Sequence, residues 1–77
     1  MIGERPLFVI AQEIEDKWGN VSPYARPYLD AMKSLVTTRQ NYYEDSGTSV
    51  VLYFLSNATQ WRGDDARRIK AELKEMV

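Results

Sequence analysis

Of the eleven acidic side chains in this 77-residue chain, seven stand close enough in sequence to suggest an acid–base pair or a magnesium site. They are Glu13, Glu15, Asp16, Glu44, Asp45, Asp64 and Asp65. None has the spacing of a calcium-binding loop or another metal motif, and solvated helix ends and caps account for them. Histidine and cysteine are absent. A Ser-His-Asp triad, a Cys-His pair and a histidine general base are therefore impossible within one chain. Disulfides and thiolate sites go too, with most zinc, copper and haem-iron sites. Carboxylate chemistry would still need a pocket, which a core this small can hardly enclose. An enzyme is the least expected class, and no cofactor or metal is expected.

Two other residue sets have binding chemistry. The chain holds two Trp, five Tyr and two Phe. Trp18, Tyr28 and Phe54 fall on apolar stripes and read as core plugs. Phe8, Leu52 and Tyr53 fall off the stripes, and Tyr42 and Tyr43 stand together in a polar connection. Tyr, Trp and Arg are enriched in protein interfaces, so Tyr42, Tyr43, Tyr53, Trp61 and Arg62 are the candidate protein-binding residues. Trp61 also has a structural reading, as a hydrophobic staple at the entry to the last helix, with Gly63 allowing close backbone approach.

The second set is Arg62, Arg67, Arg68, Lys70 and Lys74, the candidate nucleic-acid-binding residues. They resemble the basic face of a recognition helix, with the third and fourth helices forming a helix-turn-helix. Asp64, Asp65, Glu72 and Glu75 interleave with them and would repel phosphates. The net charge of −1 also lacks the basic excess usual for nucleic-acid binding. A solvated, salt-bridged face is the plainer reading.

The elements that must position these residues follow from punctuation and periodicity. Breaks fall at Gly3 to Pro6, Gly19-Asn20, Thr37 to Gly47 and Asn57 to Gly63. Four apolar-periodic segments lie between them, predicting helices over about 6–18, 23–37, 47–58 and 62–76. In the first, Leu7, Ile10, Ala11, Ile14 and Trp18 form one stripe behind Pro6, and Gly19 or Asn20 should supply a left-handed cap. The second opens at Ser22-Pro23 and carries Ala25, Tyr28, Leu29, Met32, Leu35 and Val36. Pro27 is awkward there: either the helix begins near Arg26 or its first turn is distorted. The third has Asp45, Ser46 and Thr48 as candidate caps and Val50, Val51, Phe54, Leu55 and Ala58 on its face. Its Val50–Leu55 run has strand propensity, but no other segment alternates with period two to pair with it, so helix is the reading taken. The fourth buries Ala66, Ile69, Leu73 and Met76, with Asp64–Arg68 and Arg68–Glu72 as i,i+4 pairs.

These elements predict a single all-α domain, either a compact four-helix bundle or an orthogonal helical array. Such a short chain has a thin core and needs regular packing or self-association for stability. A protein partner or a second copy is thus expected. The longest apolar run, Val50 to Leu55, falls far short of the ~20 residues of a membrane span. The sequence opens without a charged region leading into a long apolar stretch, so no signal peptide is expected and the cytoplasm is the default location.

Asn20-Val21-Ser22-Pro23-Tyr24-Ala25, running into Pro27 to Met32, resembles the start of a group of small uncharacterised helical proteins of bacteriophages, prophages and some bacteria. Tyr53 to Ala58, Trp61-Arg62-Gly63, Ala66 to Lys70 and Glu72-Leu73 are similar to their second half. The resemblance spans about residues 10–75. It implies a phage or bacterial setting and an intracellular site of action. The group has no assigned activity, so no site residue is carried over.

Overall fold

A computed structural model describes residues 4–77; of the first predicted break, Gly3 to Pro6, Gly3 lies outside the described residues. Helix dominates. The order is α1 (Leu7–Lys17), α2 (Arg26–Met32), β1 (Asn41–Tyr42), β2 (Asp45–Ser46), α3 (Gly47–Ser56) and α4 (Asp64–Glu75). The main helix contacts run α3–α2–α1–α4, and the β1–β2 hairpin leans on α3.

The stripes read from the sequence close on one core. Leu7, Ile10, Ala11 and Ile14 of α1 meet Leu29 and Met32 of α2, Val50, Val51 and Phe54 of α3, and Ala66, Ile69 and Leu73 of α4. Val50–Leu55 is helical, because its apolar side chains find a core on one side and no strand to pair with. Ser46 caps α3 by accepting from the Ser49 N–H at 3.1 Å.

Several local expectations need correction. The second helix starts at Arg26, not Pro23, which resolves the Pro27 conflict: Pro27 sits in the first turn, where its missing N–H costs nothing. Ser22 instead makes a turn, its carbonyl accepting from the Ala25 and Arg26 N–H groups. The same helix ends at Met32 rather than 37, through i→i−3 bonds that tighten residues 33–35. This tightening frees two carbonyls. Leu35 O and Val36 O accept the Phe8 and Leu7 N–H groups, respectively, at 2.9 Å, so the α2 tail caps an α1 start that has no side-chain cap. Leu35 stays buried, but Val36 is exposed.

Gly19 is not left-handed, since Gly63 is the only glycine with positive φ among the described residues. The α4 side-chain pairs are i,i+3, Arg67–Asp64 and Arg68–Asp65. Glu72 is instead gripped by Arg5, whose Nε and Nη2 donate to its two oxygens at 2.8 and 2.7 Å. The all-α expectation also missed the hairpin. Asn41 pairs with Ser46 and Tyr42 with Asp45, pairs too short to leave a period-two signal.

Outside the core, α1 and α2 are tied by charge. Arg26 Nη1 and Nη2 each reach a Glu15 oxygen at 2.8 Å, and Lys33 Nζ donates to Glu15 at 2.6 Å. Arg26, then Lys33, hold the Glu15 carboxyl down to about 2 from an ordinary 4.5. A carboxylate depressed in the fold stabilises it above the unfolded pKa and loses that contribution as pH falls towards the folded one. Because the partners are half-exposed, the contribution is about 1 kcal/mol. Glu15→Gln should therefore be less stable than the parent at pH 7, with the gap closing as pH falls from 4.5 to about 2. Urea unfolding across that range measures this, and a gap independent of pH would remove the ion-pair explanation.

Candidate functional site

Tyr43 is the most conspicuous residue on the surface. It occupies the first central position of the two-residue hairpin turn, with φ +56°, the only positive φ at a non-glycine residue among those described. Positions of this kind favour glycine, and an aromatic residue there is strained by about 1–2 kcal/mol. The ring is also 86 % exposed. The preceding Tyr42 is half-buried, packed on the core, and meets Tyr43 edge-on at 4.7 Å. Tyr42 is thus the root of the hairpin and Tyr43 its tip.

Tyr53 lies on the outer face of α3, half-exposed beside the equally exposed Leu52. Its ring leans on Tyr28 of α2 at 5.5 Å. Its backbone carbonyl accepts from the side-chain amide of Asn57 at 2.8 Å. Both Leu52 and Tyr53 leave apolar surface in water on a helix whose other face is core.

Trp61 does not join this set. It is only 5 % exposed and stacks on Trp18 with centroids 5.5 Å apart and planes 8° apart. Trp18 in turn meets Phe54 edge-on at 6.3 Å. Trp61 therefore plugs the junction of α1, α3 and α4 and offers little surface to a partner. Its ring pairs with an aromatic at the far end of α1, a contact that the sequence did not indicate. Arg62, next to it, is exposed and far from the hairpin in sequence. The structure separates the candidate residues into a hairpin tip, an α3 face and a buried tryptophan.

The basic residues divide in the same way. Arg68 turns towards α1, donating to Glu13 at 2.7 Å and to Asp65 at 3.2 Å. Glu13 also faces Arg5 at 2.9 Å, and Arg68, then Arg5, hold its pKa below the usual carboxylate range. Lys70 donates to the carbonyls of Ala58 and Trp61, both at 2.7 Å, and so fastens the chain leaving α3. Burial, then Lys74 and Arg62 nearby, holds the Lys70 pKa below the ordinary lysine value. Arg67 pairs with Asp64 at 2.6 Å in open solvent. Arg62 and Lys74 have no ion pair among the described residues.

A surface groove of about 530 Å³ along α1 was not foreseen. It is lined by Phe8, Val9 and Gln12, with Arg5, Glu13, Asp16 and Lys33 around them. Phe8 off the stripe was its one sequence signal. Of its rim charges, Arg5, Glu13 and Lys33 already have ion-pair partners within the chain. Among the described residues no cluster of three or more acidic side chains is arranged to hold a metal ion, and no helix is long and apolar enough to cross a membrane.

Comparison with protein-family models, with curated proteins and with solved structures finds no match to this chain. The functional reading therefore rests on the surface itself.

Proposed function

We propose that this protein is a non-enzymatic interaction module that docks on another protein, or on a second copy of itself, through Tyr43 at the hairpin tip and Leu52 and Tyr53 on α3. The observation that supports it is Tyr43: an aromatic ring held in water, at a backbone position where it is strained. Strain retained at an exposed position points to a role outside folding, and tyrosine is a characteristic interface residue. In the same reading the setting is bacterial or phage and the protein acts inside the cell.

The experiment uses the strain itself. Tyr43→Gly should raise stability to urea by about 1 kcal/mol, because the turn is relieved, while abolishing capture of the partner. Tyr53→Ala, at a half-exposed position, should leave the fold intact and weaken capture at least about tenfold, an interface loss of about 1.4 kcal/mol or more. Tagged parent and variants would be compared for stoichiometric capture from bacterial extract and, for self-association, by sedimentation at micromolar concentration. If parent and both variants capture and sediment alike, the reading fails.

The alternative is a small DNA-binding regulator acting through Arg62, Arg67, Arg68, Lys70 and Lys74. What favours it is the basic flank of α4. What weighs against it is that Arg68 and Lys70 are engaged inside the fold and that Asp64 and Asp65 occupy the first turn. A steep fall of duplex affinity with salt would support it.

A further inference from the structure

The charges of α4 sort by flank. Asp65, Arg68 and Glu72 interlock with Glu13 of α1 and with Arg5. Arg67, Lys70 and Lys74, spaced by three and four residues, share the other flank, and Arg62 stands beside them in the preceding turn. Four cations thus gather, with Asp64 paired to Arg67 among them, in a chain whose net charge is −1. Trp61, Arg62, Gly63, Ala66, Arg67 and Lys70 line a concavity of about 290 Å³ there.

We infer that this concavity binds a compact oxyanion, a phosphoryl group carried on a small molecule. The site is independent of the docking surface on the hairpin and α3.

Lys70 supplies the fixed donor. Two of its three N–H groups are held by the Ala58 and Trp61 carbonyls, so the ammonium is anchored at the concavity with one donor unused among the described residues. Its proton is held less tightly than an ordinary lysine's, through burial and then through repulsion by Lys74 and Arg62, a repulsion that an anion would relieve. Arg67 is available as well. Its pair with Asp64 has both side chains largely in water, 77 % and 99 % exposed, and such pairs exchange at little cost. Arg62 and Arg67 then offer planar forks that match phosphate oxygens.

Size and rim charge favour a single group over a polymer. The concavity holds only about 290 Å³, and Asp64 beside it would repel the flanking phosphates of a duplex. A dianionic phosphoryl group also uses the gathered cations better than a single carboxylate does.

The test is a titration of the isotope-labelled protein with inorganic phosphate at constant ionic strength, followed by amide and indole NMR signals. Saturable shifts are expected at Arg62, Gly63, Arg67, Lys70 and the Trp61 indole, with a Kd on the order of 1 mM. The double variant Arg62→Gln/Arg67→Gln removes only exposed side chains. It should keep the remaining spectrum unchanged and weaken phosphate binding at least about tenfold, since charge-assisted bonds are lost. A short DNA duplex at the same ionic strength should shift these signals less than phosphate does. Shifts that never saturate, that persist in the double variant, or that appear with duplex alone and fade steeply with salt would overturn the proposal.

Discussion

Trp61→Ala should lose about 3–5 kcal/mol of stability, the range for removing a buried aromatic ring from a packed core. A domain of this length holds roughly 4–12 kcal/mol in all, so the variant stands near the edge of folding. The loss has two parts. The first is the transfer of a large apolar side chain and the cavity left behind, which the Trp18 ring can fill only by abandoning its contact with Phe54. The second is the stacked Trp18–Trp61 pair itself, worth about 0.5–1.5 kcal/mol beyond its area. Lys70 should not rescue the site, because its bonds to this segment go to backbone carbonyls and hold the turn without filling the void. Trp61→Phe, keeping a ring, should lose about half as much. Urea unfolding followed by far-UV circular dichroism measures both. A Trp61→Ala variant within about 1 kcal/mol of the parent, the scale of a surface substitution, would mean that residues 57–63 lie outside the cooperative core, and would make Trp61 a docking candidate again.

That residue also shows where the sequence stops being informative. Trp61 and Tyr53 carry the same kind of signal in one dimension: a large aromatic outside the regular stripe. Tyr53 is half in water and Trp61 is buried. The difference is made by Trp18, far away in the chain, whose ring is available because α1 ends at Lys17 and turns its last aromatic inwards. Periodicity places Trp18 on the α1 stripe, but no local pattern shows that Trp61 is the ring it meets. The stripes of α1, α3 and α4 were legible because each is fixed by a 3.6-residue repeat within its own segment. The α2 boundaries were less so. Leu35 and Val36 continue its helical pattern, but their carbonyls are drawn to the open N-terminus of α1, a tertiary demand that overrides local preference. Among the basic residues, composition shows a mixed face; the three- and four-residue spacing of Arg67, Lys70 and Lys74 sets them apart from Arg68, and the packing of α4 on α1 shows that Arg68 is spent on Glu13. Tyr43 was legible as a loop aromatic, but its left-handed backbone was not, since a turn of this kind normally announces itself with glycine or asparagine.

Gly47→Ala offers a case where propensity and packing predict opposite signs. Gly47 opens α3, and replacing a helical glycine by alanine ordinarily stabilises by about 0.5–1 kcal/mol. Here the added Cβ would lie 2.8 Å from both the Cα and the carbonyl oxygen of Thr38, and 2.9 Å from the carbonyl oxygen of Thr37. These are backbone atoms, so the neighbour cannot yield by changing a rotamer. The approach is close because the chain crosses itself at this point. Gly47 N–H donates to Gln40 O at 2.6 Å and Thr48 N–H to Thr38 O at 3.1 Å, which fastens residues 38–40 against the first turn of α3. Relief of the clash must lengthen those two bonds or push the segment away. The expected result is a net destabilisation of about 2–3 kcal/mol, overpacking outweighing the propensity gain. Amide exchange should localise it, with the N–H groups of residues 47 and 48 losing protection while those of Leu29 and Ile69 keep theirs. The hairpin hangs from this crossing, so Tyr43 should lose its fixed position. Partner capture should then weaken even though the added methyl group lies away from the docking surface. A Gly47→Ala variant more stable than the parent would show that helix propensity governs this position and that the segment before the hairpin is not held at the crossing.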